Sequence, residues 1–147
     1  MKKLLFLFLA IVLTACSGLG QSDLERNRQK WQDANISHYR FNVFVGCFCA
    51  FTQDMPLVIE VKDGEVVSME YQTGNPIDDS NREYFGKYAT IDRLFSELEA
   101  DLGGEADNVT VTYDSTHGYP TEISIDFITE AADDELYLTV SAFEALP

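Results

Sequence analysis

The sequence predicts an α+β fold, an antiparallel sheet with helices on one face, in the order α-βββ-α-βββ. Three observations carry this. Several short segments alternate apolar and polar residues with period two, an Asp63-Gly64 pair separates two of them, and one segment has apolar residues at helical spacing. Alternation along most strands suits antiparallel sheets with one face covered and one face wet.

Taken in order, Ser22-x-x-Glu25 has the form of a capping box, and Leu24 and Trp31 lie seven residues apart on one stripe, so residues 23–34 read as a short helix. Tyr39, Phe41, Val43 and Val45 then alternate with Arg40 and Asn42. Leu57, Ile59 and Val61 alternate with Glu60 and Lys62, and face Val67, Met69 and Tyr71 across the Asp63-Gly64 turn. Ile91, Leu94, Phe95, Leu98 and Leu102 follow the i, i+3, i+4, i+7, i+11 pattern, with Thr90 as N-cap and Gly103-Gly104 as the stop. Three more strands are carried by Val109, Val111 and Tyr113, by Ile123, Ile125 and Phe127, and by residues 136–143. Each half holds a helix, a strand, a loop closed by a proline (Pro56, Pro120) and a hairpin, which suggests a degenerate internal duplication.

The N-terminus gives the strongest functional signal. Lys2 and Lys3 precede an apolar run over residues 4–13, and Leu13-Thr14-Ala15-Cys16 follows. Ten apolar residues are about half of what a bilayer-spanning helix needs, whereas a basic flank and small-residue cleavage site fit an export signal. The four residues ending in Cys16 resemble the lipobox of bacterial lipoproteins, in which the cysteine is acylated and becomes the first residue of the mature chain. The expected organisation is a signal peptide over residues 1–15, a lipidated flexible tether over 16–22 with a reach of roughly 13 Å, and a single domain over 23–147. Lipid on Cys16 is the expected membrane contact. Ser17, where an aspartate would signal retention in the inner membrane, favours the outer membrane, with the domain facing the periplasm.

The chain carries 10 basic and 25 acidic residues, a formal charge of −15, and removal of Lys2 and Lys3 with the signal peptide would leave −17. No basic stripe is available to neutralise phosphates, so no nucleic-acid partner is expected. Residues 73–90 combine turn formers with Tyr84, Phe85 and Tyr88, which read either as a loop presenting aromatics to a partner or as a loop folding back over the core.

Cys47-Phe48-Cys49 is the most pointed chemical motif beyond Cys16. An oxidising envelope makes a disulfide the default for such a pair. In a regular strand the two α-carbons would stand about 6.6 Å apart, so closing the bridge requires a bend, which Gly46 permits. A three-residue loop contributes only about 1.6 kcal/mol by chain entropy. Three readings stay open: a static disulfide shaping the loop, a thiol-disulfide or redox-sensing pair, and free thiolates holding a soft metal such as cuprous ion. Zinc needs more ligands, and His38 and His117 have no spacing that joins them to the cysteines. Asp78-Asp79 and Asp133-Asp134-Glu135 match no oxygen-ligand loop, so no metal and no cofactor is expected. Asp114-Ser115-Thr116-His117 holds an acid, a nucleophile and a base, but its run into Gly118-Tyr119-Pro120 is the chemistry of a turn, and no G-x-S-x-G elbow occurs. No catalytic residues are assigned.

Trp31 with Tyr39 and Phe41, the Cys47-x-Cys49 pair, Val61-x-Asp63-Gly64, Thr90-Ile91-Asp92-x-Leu94-Phe95, and Val111-x-Tyr113-Asp114 leading to Gly118-Tyr119-Pro120-Thr121 and Ile125-Asp126 together resemble uncharacterised bacterial lipoproteins and secreted proteins, grouped as a domain of unknown function. The resemblance spans most of the mature chain. It implies an envelope domain and supplies no reaction; the family usually has an aromatic residue at the position of His117. Two functions follow as expectations: a non-enzymatic envelope module that binds a protein or another envelope component, and, as the alternative, a thiol-disulfide or copper-handling protein using Cys47 and Cys49.

Overall fold

A computed structural model describes residues 19–147. The expected signal peptide, the Cys16 lipidation site and the first residues of the tether lie outside the described residues. Helix α1 (Leu19–Ala34) comes first. Its Leu24 and Trp31 form the expected buried stripe. The chain is already helical at Leu19, four residues before the start its capping box indicated. In this extra turn Gly20 approaches Leu102 closely: a Cβ at Gly20 would stand 3.1 Å from the Leu102 side chain.

Strand β1 (His38–Gly46) buries Tyr39, Phe41, Val43 and Val45. Strands β2 (Leu57–Lys62) and β3 (Glu65–Tyr71) form the hairpin that Asp63-Gly64 announced, with positive φ at both turn residues (50° and 80°). Helix α2 (Asp79–Phe85) and a 3-10 turn (Gly86–Tyr88) follow. The N-cap of α2 is Asp78, whose Oδ1 accepts the Asn81 amide at 2.9 Å. Helix α3 (Ile91–Ala100) is capped by Thr90, whose hydroxyl oxygen accepts the Arg93 amide at 3.1 Å. A π turn (Asp101–Glu105) ends it, with Gly104 at φ 115°. Strands β4 (Asn108–Tyr113), β5 (Pro120–Asp126) and β6 (Leu136–Ala145) complete the chain.

The six strands form one open antiparallel sheet in the order β3-β2-β1-β6-β5-β4, which is the α+β fold expected. Register puts Tyr39, Phe41 and Val43 opposite Val61, Ile59 and Leu57, and Val43 and Val45 opposite Val140 and Leu138. One face is therefore continuously apolar. Ile91, Leu94, Phe95 and Leu98 of α3 bury themselves in the core this face builds, each contributing about 2 kcal/mol by leaving water. Arg28 of α1 ties the helices together, donating to the Phe95 carbonyl at 2.7 Å and to Glu99 at 2.9 Å. The opposite face carries Arg40, Asn42, Glu60, Glu70, Glu122 and Ser124 and stays wet. The two halves lie side by side as meanders, 3-2-1 then 6-5-4. Corresponding strands such as β1 and β4 run in opposite directions, because three antiparallel steps separate them.

Candidate functional site

The site grows from the end of β1. Gly46 pairs with Tyr137 of β6, and a side chain there would stand 2.9 Å from the Phe44 ring and 3.5 Å from the Tyr137 carbonyl oxygen. Lacking one, Gly46 leaves the Phe44 ring room across the strand end. The chain then bends. Cys47 and Cys49 are bonded through their sulfurs, with α-carbons 5.1 Å apart, closer than any extended pair. The Cys49 amide donates to the Cys47 carbonyl at 2.7 Å. The Thr52 hydroxyl lies 3.2 Å from the Cys47 carbonyl oxygen and 2.9 Å from that of Cys49, and its amide donates to Cys49 at 3.3 Å. A bridge and four hydrogen-bond contacts thus hold the six residues from Cys47 to Thr52. Phe48, between the cysteines, has nowhere inward to turn and is 89% exposed. Phe51, three residues on, packs edge-on against Phe85 with ring centroids 4.8 Å apart.

Two grooves flank this tip. One, about 270 Å³, lies between the cysteine loop and Tyr84, Lys87, Tyr88 and Phe127, and is closed by Asp133, Asp134 and Glu135. The other, about 310 Å³, runs past Gly46, Ser124 and Tyr137. Phe48 lines both. Of the four large apolar side chains exposed among the described residues, Phe48, Tyr137 and Ile128 belong to this end of the molecule or to its wall-forming loop, residues 127–135. Both cysteines are half-buried, so the bridge is within reach of solvent and lines the groove.

The wall is anionic. The Asp134 carboxylate accepts the Ile128 amide at 2.7 Å through one oxygen, while its other oxygen is buried without a hydrogen-bond partner. Asp107 accepts the Thr129 amide at 3.0 Å. Burial and the neighbouring Asp134, Glu135 and Asp107 push the Asp126 carboxyl above the ordinary carboxylate range. Lys87 is the one cation lining the groove, its ammonium 5.8 Å from the Tyr84 ring centroid. No ion pair among the described residues engages Asp107, Asp126, Asp133, Asp134 or Glu135.

The sequence-selected residues divide. Cys47 and Cys49 build the tip. Of the three aromatics expected as a presented loop, Phe85 is fully buried and Tyr88 nearly so, because α2 and the 3-10 turn after it fold back and insert them into the core; Tyr84 and the edge of Tyr88 line the groove. Burial and the adjoining Tyr84 hydroxyl push the Tyr88 phenol far up. Cys16 lies outside the described residues. The Asp114–His117 stretch is a turn: Asp114 Oδ1 accepts the amides of Thr116 and His117 at 3.0 and 2.5 Å, and the His117 ring stacks near-parallel to Tyr119 and sits tilted against Phe143. Lys30 of α1 donates to the Ser115 carbonyl. His38 is held elsewhere, by Glu60 at 3.0 Å and the Pro147 carbonyl at 2.9 Å, and both raise its pKa. Asp78 and Asp79 serve α2 as N-cap and first-turn acid. No three His, Cys, Asp or Glu side chains among the described residues converge as a metal set. No described helix is long and apolar enough to cross a membrane.

Sequence reading did not find the exposed Phe48 or the wall of residues 127–135. The flanking cysteines and Gly46 were the available signal, since a side chain between two bridged residues cannot turn into a core. A model of a family of unknown function (DUF6174) matches residues 23–145. No curated protein matches the chain, and no solved structure does.

Proposed function

The chain belongs to this family of unknown function, and from that premise we propose a lipid-anchored cell-envelope protein whose domain is a non-enzymatic binding module, with the cysteine tip as its recognition surface. One observation carries the reading: Phe48 is 89% exposed on a loop fixed by a disulfide and by Thr52. A large aromatic held rigidly in water loses little further entropy on docking, and such anchors dominate interface energetics. Anchoring at Cys16 rests on the lipobox-like Leu13-Thr14-Ala15-Cys16. Leu19 is already in α1 and lies three residues after Cys16, so at most about 11 Å of chain separates the two. The domain would then work close to its membrane, and Ser17 favours the outer membrane with the tip in the periplasm.

The test is photo-cross-linking in cells with p-benzoylphenylalanine in place of Phe48, with Val67, also exposed and on the far edge strand, as the control position. A discrete adduct at 48 and none at 67 is expected; no adduct, or the same adducts at both, removes the reading. Mass spectrometry of the processed N-terminus checks the acyl group on Cys16, and a chain starting elsewhere removes the anchor.

A second reading has its own observation, the half-exposed bridge lining a groove with Lys87. In that reading Cys47 and Cys49 exchange disulfides with a partner thiol or, once reduced, bind cuprous ion. A glutathione series read by alkylation and mass spectrometry separates the two. A pair still bridged at cytosol-like potentials is a structural staple; a pair that titrates near the potentials of thiol oxidoreductases is a redox site.

A further inference from the structure

We infer that the tip takes a basic protein segment carrying an apolar side chain, Phe48 and its two grooves gripping the apolar group and the exposed Asp133 and Glu135 of the wall pairing with flanking lysines or arginines. This deepens the binding-module reading and rests on it. The grooves, about 270 and 310 Å³, are at or below the small end of cofactor and ligand pockets, and both are open to solvent along Phe48. Each suits one or two side chains of a peptide lying across the tip. Their apolar lining comes from Tyr84, Tyr88, Phe127 and Tyr137, with Phe48 standing between.

Charge selects among peptides. Asp133, Asp134 and Glu135 line the groove, with Asp107 and Asp126 behind them, and no ion pair among the described residues engages any of the five. Burial first, and then the charges of Asp134, Glu135 and Asp107, hold the Asp126 carboxyl above the ordinary carboxylate range. A cation brought by a partner relieves that repulsion, whereas an acidic peptide or an anionic lipid headgroup adds to it. Lys87 lies inside the groove against Tyr84 and leaves the outer carboxylates free for the partner. The whole chain, at −15, steers basic segments toward itself over long range and repels a second copy. A neutral glycan would find the aromatic surface but make no use of the wall.

The experiment is fluorescence anisotropy with the labelled synthetic peptide KLKFKLK, using the chain from residue 16 onward with Cys16→Ser, which keeps every described residue. KSKSKSK and ELEFELE serve as comparison peptides. Expected results are saturable binding of KLKFKLK that weakens with salt, at least tenfold weaker binding of KSKSKSK, and none of ELEFELE. Phe48→Ser and the triple variant Asp133→Asn, Asp134→Asn, Glu135→Gln should each weaken KLKFKLK at least tenfold. Glu65→Gln with Glu70→Gln, on the far edge strand, should leave it unchanged. Circular dichroism of each variant checks that the fold is retained, and Lys87→Ala, which removes a cation beside the wall, should tighten binding. Equal binding of KLKFKLK and KSKSKSK, or indifference to Phe48→Ser and to the triple variant, overturns the inference. If cross-linking at position 48 captures a partner whose contact surface is acidic or is a glycan, the binding module stands and the basic segment falls. If neither cross-linking nor peptide binding is seen, both fall.

Discussion

The hydroxyl of Tyr39 in β1 accepts the backbone amide of Ile91, the first residue of α3, at 3.1 Å in the buried interior. The first amides of a helix have no partner within it. Here the sheet supplies one, while Thr90 supplies another to Arg93. Burial drives the Tyr39 phenol up to about 12, so it stays protonated at neutral pH.

Tyr39→Phe removes that acceptor and leaves the Ile91 amide buried and unpaired. A loss of about 1–2 kcal/mol is expected from urea unfolding. Hydrogen exchange should accelerate in the first turn of α3 before it does in β1. Equal protection in both would mean that the bond does not hold the helix to the sheet.

Gly118 sits at φ 82° in the turn between β4 and β5, and a Cβ there would stand 2.5 Å from the Asn27 carbonyl oxygen of α1. Gly118→Ala is therefore expected to cost about 3 kcal/mol, from left-handed strain together with displacement of the turn from the helix. Gly64→Ala is the comparison. Gly64 has nearly the same φ, 80°, but nothing within 4 Å, so only strain of about 1 kcal/mol remains. Similar losses for both would show that the turn and α1 are not in contact.

Asp101, at the end of α3, has its carboxyl pushed up to about 6 by burial first, and then by Glu97 and Glu105, with Lys87 opposing. The unfolded chain gives up this proton near 3.8 and the folded chain only near 6. Ionisation therefore costs the fold nothing below about 3.8, progressively more between 3.8 and 6, and its full amount above. Asp101→Asn should leave stability unchanged at pH 3.5 and raise it by about 1–2 kcal/mol at pH 7. A difference that does not change across that window would place the carboxyl in water.

At the tip, stability and binding should separate. Phe48→Ser is expected to change unfolding free energy by less than about 0.5 kcal/mol, since the ring touches mostly water. The double variant Cys47→Ser, Cys49→Ser should lose about 1.6 kcal/mol, the worth of a three-residue loop. It should also lose peptide binding, because Phe48 is no longer held out. Retained affinity in the double variant would mean that Thr52 alone fixes the tip.

The elements that could be read in the sequence are those whose own residues determine them. Alternation located all six strands, helical spacing and Thr90 located α3, and Asp63-Gly64 fixed its hairpin because both residues tolerate positive φ. What could not be read depends on residues far apart in the chain. The extra turn of α1 sets Gly20 against Leu102, far along the chain. Tyr84, Phe85 and Tyr88 looked like a presented loop because a loop's composition does not say which way α2 will fold it. The proposed recognition surface draws on residues 46–49, 84–88, Ser124 and 127–137, segments that only the strand order brings together, and its proposed anchor breaks the usual expectation that phenylalanine is buried.

The sheet order has a consequence for how the chain reaches its shape. β1, the first strand made, takes β6, the last, as a central neighbour, and their pairing is the most extensive in the sheet. The β1-β2-β3 meander can form early, but Tyr39, Val43 and Val45 keep one flank bare until residues 136–145 arrive. Such long-range closure slows folding, and it makes folding all-or-none late in synthesis. A chain of this design stays threadable for most of its length and locks at the end, so a premature stop anywhere before residue 136 should leave no stable domain rather than half of one.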